Sequence, residues 1–113
     1  MVNRTLLWDP RAVASLRDIF DYLSWRESKS VAQRVTNAIS NKAKNLLPFP
    51  HKHPLEPNLT HLSGEFRFCV QWSYKIIFEV TDTQVLILDI FHTSRDPKHI
   101  NPEPQNPTHT PKD

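Results

Sequence analysis

The chain has 113 residues, 38% of them hydrophobic and 23% charged, a composition that supports one domain with a modest packed core. A net charge of +2 excludes a protein that coats nucleic acid, so any anionic partner has to be met by a local patch. The single cysteine, Cys69, excludes an internal disulfide and a cysteine-based zinc site, and the single glycine, Gly64, excludes the glycine-rich loops that cradle nucleotide phosphates.

No apolar run approaches the roughly 18 residues needed to span a bilayer. The start, "MVNRTLLWDP", has neither a long apolar stretch nor a small-residue cleavage site. A cytoplasmic protein without membrane contact or cofactor is expected.

In chain order, "NRTLLW" (Asn3 to Trp8) reads as a short strand. Asp9 suits a helix N-cap and Pro10 the first helical position, where its missing N–H costs nothing. Val13, Leu16, Phe20 and Leu23 then recur at three- and four-residue steps, with Ala12 and Ile19 beside them, the stripe of an amphipathic helix that fades near Ser24 to Glu27. Ser30 followed by Gln33 fits a capping box for a second helix, carried on by Val31, Val35, Ala38, Ile39, Ala43 and Leu46 and stopped by Pro48 and Pro50. The proline-rich segment from Pro48 to Asn58 is expected to be irregular. "FRFCVQW" alternates, with Phe66, Phe68, Val70 and Trp72 on one face. "YKIIFEV" and "VLILDIF" read as a hairpin joined by the polar "TDTQ", and the last strand, apolar on both faces up to Asp89, belongs in the middle of a sheet. From Lys98 onward four prolines and little to bury predict a flexible tail over 98–113, leaving a domain over 1–97. The fold expected is α+β, an N-terminal strand and a two-helix hairpin packed on a small antiparallel sheet.

Four residues could carry chemistry. Arg95 follows a buried strand and offers a rigid fork of donors for phosphate or carboxylate, but could equally pair with Asp89 or Asp96. His92 could move protons at the strand's end, or simply cap and pack it. Arg67 and Lys75, on adjacent strands, would complete a three-cation patch with Arg95 if they shared a face. The histidines of "HKH" and His61 lack a carboxylate or cysteine at ligand spacing, so no metal is expected. Cys69, mid-strand, reads as a small buried hydrophobe. Trp8, Trp25 and Trp72 read as packing residues, with an exposed anchor as the alternative for Trp25 near the hairpin tip.

The segments "LRDIFDYL", "AQRVTNAI…LL", "PFP" and "FRF…YKIIFEVTDTQVLILDIFHTSRDP", in this order, resemble the RelE/ParE superfamily of bacterial toxins from about Arg4 to Pro97. That resemblance implies two helices on an antiparallel sheet. It implies a toxin neutralised by a cognate antitoxin protein, which alone brings the pair to operator DNA. RelE-like members cut mRNA on the ribosome; ParE-like members poison DNA gyrase. By resemblance, Arg67, Lys75 and Arg95, with His92, fall at positions of the nuclease type. Cys69 stands where that type has a second strand lysine, and no tyrosine follows Tyr74. These departures and the long hairpin "IFDYLSWRESKSVAQRV" resemble the ParE branch more closely. An mRNA endonuclease and a non-toxic antitoxin-binding member are the alternatives.

Overall fold

Asp9 is extended, and its carboxylate accepts the Arg11 N–H at 2.8 Å, so that Pro10 opens the first helix without wasting a donor. The computed structural model describes residues 3–95; the expected tail over 98–113 and the end of the domain over 1–97 lie outside the described residues. Helix α1 (Pro10–Arg26) ends where its apolar stripe fades. The amides of Glu27 and Ser28 both return to the Leu23 carbonyl, closing the helix at once. Ser28 is thereby left extended, and its hydroxyl accepts the Val31 N–H at 3.1 Å to start α2 (Lys29–Lys44). Ser30, the cap expected from "SKSVAQRV", is already inside the helix. Two serines so close together look alike in sequence, and the tight closure of α1 selects the first.

Four strands follow: β1 (Thr5–Trp8), β2 (Glu65–Gln71), β3 (Tyr74–Val80) and β4 (Gln84–His92), in sheet order β1-β4-β3-β2. Strands β2, β3 and β4 form the antiparallel meander, while β1 joins β4 in parallel, which makes the sheet mixed. The apolar strand β4 lies inside the sheet between β3 and β1, as its composition requires. A register shift between Ile77 and Phe78 leaves Leu88 as the extra residue opposite them.

The sheet has a core on each side. On the helix side Ala12 and Ile19 of α1 and Val35, Ile39 and Ala43 of α2 meet Cys69, Ile76, Phe78, Ile87 and Ile90. On the outer side Phe66, Ile77, Leu88 and Phe91 pack with Leu59, partly covered by Leu62. Leu59 and Leu62 come from the proline-rich segment and the turn after it, which are not featureless. The segment makes two short 3-10 turns, Pro50–Lys52 and Pro57–Leu59. Between them Leu55 pairs with Arg67: the Glu56 N–H reaches the Phe66 carbonyl at 2.8 Å, and the Phe68 N–H reaches the Pro54 carbonyl at 3.1 Å. This strap therefore guards the first half of β2's edge. Beyond Phe68 it has left the sheet, so Val70 and Trp72 are exposed although they continue the same alternation. Trp72, expected to pack, is 58% exposed in the turn to β3 with a positive φ of 54°. Gly64 enters β2 at φ 120°, a backbone conformation that strains any other residue, and a Cβ there would crowd Glu79 Oε2 and the Phe66 ring at 3.1 Å.

Candidate functional site

Strand alternation decides what the basic residues can do together. Arg67 shares a face of β2 with Cys69, on the helix side; Lys75 projects on the other face, its ammonium 4.3 Å from the centre of the Phe68 ring. The two cations are on opposite sides of the sheet and do not form one patch. Each is also held by a carboxylate. Arg67 Nε lies 2.5 Å from Glu65 Oε2, and its Nη1 donates to the His53 carbonyl. His51 Nδ1 lies 2.6 Å from the same Glu65 oxygen. Burial alone would raise the Glu65 pKa, but the hydrogen bonds from Arg67 and His51 outweigh it and keep the carboxyl below its ordinary value.

Lys75 is tied more firmly. Its Nζ lies 2.7 Å from Glu56 Oε1, with the lysine side chain 16% exposed and the glutamate side chain 0%. The contact is off the line of a well-formed hydrogen bond, so it acts mainly as an ion pair. The second Glu56 oxygen accepts the Asn58 backbone N–H at 3.0 Å and its side-chain amide at 2.9 Å, capping the second 3-10 turn. Glu56 is the surprise of the fold: an acid in a proline-rich stretch gives no sequence signal that it will be the most buried charge among the described residues. Only its tie to a lysine on the third strand explains it.

At the exit of β4, Arg95 lies over the Phe91 ring at 5.4 Å on the outer side, and its backbone N–H returns to the His92 carbonyl at 3.0 Å. The His92 ring meets Tyr74 edge-on at 5.5 Å, and its Nδ1 accepts the Ser94 N–H at 3.1 Å. The Ser94 hydroxyl lies 2.8 Å from the same nitrogen. Burial raises the Tyr74 pKa, helped by Tyr22. Asp89, buried under α1, accepts the Ser15 hydroxyl at 2.6 Å and the Ile90 N–H at 2.8 Å. Burial still pushes its carboxyl up, against those two bonds and the positive charges of Arg11 and Arg95. Burial likewise pushes the Cys69 thiol up to about 11, which suits a packed, unreactive cysteine.

Protein-contact features are grouped on the helical hairpin. Trp25 is 81% exposed at its tip, with the Tyr22 ring 6.3 Å away and Arg26 reaching the Tyr22 hydroxyl at 3.2 Å. Farther along, Val13, Leu16, Arg17, Phe20 and Thr36 line an open, largely apolar groove of about 300 Å³. The helical period announced these apolar residues as one buried stripe; Leu16 does pack against the core, but Val13 is exposed at the groove, so the stripe is wider than the sheet that covers it. No helix among the described residues is long and apolar enough to cross a membrane.

The order strand, two helices and a meander closed by a parallel N-terminal strand defines a two-layer α+β fold. A solved structure described as the chromosomal ParDE TA system from P. aeruginosa shares it, with a TM-score of 0.66 at 22% identity over 79% of this chain and 95% of that one. The family model for the ParE toxin of type II toxin–antitoxin systems (parDE) matches residues 6–97. The chain belongs to the ParE toxin family. No curated protein matches it.

Proposed function

We propose that this chain is a toxin that acts by protein–protein contact on DNA gyrase and is neutralised by a cognate antitoxin protein. The observation that carries this reading is the separation of Arg67 and Lys75 onto opposite faces of the sheet, each held by a carboxylate. Cutting an RNA backbone without a metal calls for several cations converging on one phosphate, because preorganised charge contributes most to stabilising such a transition state. The four candidates are divided between the faces. Lys75, paired with Phe91, and Arg95, over the Phe91 ring, are on the outer side. Arg67 and His92, which meets Tyr74, are on the helix side, and His92 Nδ1 is engaged by Ser94. The exposed hairpin, with Trp25 at its tip and an open apolar groove along its length, suits a protein partner instead.

The test sets purified toxin in a gyrase supercoiling assay beside a ribosome-programmed mRNA cleavage assay. Loss of supercoiling with intact mRNA is expected, and growth arrest should survive Arg67→Ala and Arg95→Ala. Cleaved mRNA that disappears in either variant would replace this reading with the nuclease one, in which Arg67, Lys75, Arg95 and His92 act together.

A further inference from the structure

The two edges of the sheet differ. At β2 the strap occupies the positions facing Phe66 and Phe68. At β1 nothing comparable exists among the described residues. The Thr5 N–H donates to the Thr83 carbonyl and the Asp9 N–H to the Ile87 carbonyl, so in this parallel ladder residues 5, 7 and 9 turn their backbone groups to β4. Leu6 and Trp8 consequently point their N–H and carbonyl groups outward. The strand "TLLW" has no charge and no proline, so among the devices that protect an edge it relies on its shortness, four residues. Its Leu7, on the side away from the helices, is 38% exposed.

We propose that β1 is a self-association edge, and that its occupant is β1 of a second copy of this chain, docked antiparallel about a two-fold axis at Leu7. In that register Leu6 of each copy faces Trp8 of the other, and these are the residues whose backbone groups are open. The Leu6 N–H and carbonyl exchange hydrogen bonds with the Trp8 carbonyl and N–H, and symmetry repeats the exchange. Leu7 meets Leu7 as a close, non-hydrogen-bonded pair, covering both exposed side chains. At either end Thr5 faces Asp9, so no like charges oppose each other along the paired strands. Any other register slips Leu6 and Trp8 out of step or sets Leu7 beside polar neighbours. The two four-stranded sheets become one continuous sheet, with both hairpins on the same face.

Sedimentation velocity on the full chain at about 100 µM tests this, a concentration suited to an interface smaller than the standard size. The expected species has twice the 13.2 kDa monomer mass. Leu7→Lys and Leu7→Glu each set like charges against each other on the axis and should give monomers, with circular dichroism unchanged because the site is partly exposed. Mixing the two variants should restore the dimer, since lysine then faces glutamate, a rescue that simple destabilisation cannot produce. A wild-type monomer at this concentration overturns the proposal. So does a dimer that persists in both single variants, or a mixture that stays monomeric.

Discussion

The two sides of the sheet are stabilised in different ways. The helix side is a conventional core, where Ile19, Ile39, Ile76, Phe78 and Ile87 are almost wholly out of water and most contacts are apolar, with the Ser15–Asp89 hydrogen bond set among them. The outer side is closed by a single strap, anchored by a few backbone hydrogen bonds, one leucine and a buried ion pair between Glu56 and Lys75. Apolar packing tolerates the loss of one contact gradually. A strap held by charge fails when either partner is removed, because the other is left buried and alone.

Breaking the helix-side core should have the largest effect. Phe78→Ala is expected to cost about 3–5 kcal/mol, since the ring is fully buried and the site sits under two helices that cannot collapse into it. Chemical denaturation measures this, and a loss below about 1 kcal/mol would mean the helices move freely on the sheet.

Next comes the strap. Lys75→Met leaves Glu56 with a fully buried, unpaired carboxylate and is expected to cost about 3 kcal/mol, near the low end for breaking a buried pair. Glu56→Gln in the same chain should recover part of that loss, because the amide keeps an acceptor for Asn58 without the charge. A double-mutant cycle in urea reads the coupling. If the two losses simply add, the ion pair is not what holds the strap.

The helix cap offers a smaller test. Ser28→Ala should cost about 1 kcal/mol and Ser30→Ala only a few tenths, because only Ser28 satisfies an open amide. Equal effects would restore Ser30 as the cap.

The smallest effect concerns Asp89, whose folded pKa is raised by burial. An acid shifted upward favours folding while it is protonated. Its contribution is therefore fully present below the unfolded value and is lost as pH rises through the folded one. Asp89→Asn, which can still accept from Ser15 and Ile90, should thus stabilise the protein slightly at pH 7, and the gain should vanish in acid. A melting-temperature difference between variant and parent that does not shrink as pH falls would show that the carboxylate is not strained.

The elements were largely legible because their signals are local. Asp9-Pro10, the three-and-four spacing of α1, the alternation of β2 and the doubly apolar β4 each depend on neighbours within a turn or a few residues. The family resemblance rested on the same local features in order. The site was much less legible. Arg67 and Lys75 look like one patch in the sequence because they lie on adjacent strands, but the hairpin register puts them on opposite faces. Trp72 continues an apolar alternation, and only the strap's departure after Phe68 makes it exposed.

By itself the sequence determined the element types, their order, the central place of β4 and the family to which the chain belongs. Tertiary structure decided the parallel pairing of β1, the burial of Glu56 against Lys75 and the cover that the strap gives to β2's edge. The division has a physical cause. Helix periods, caps and strand alternation are set by interactions over a few residues, whereas strand pairing, burial of charge and edge protection depend on segments tens of residues apart meeting in space.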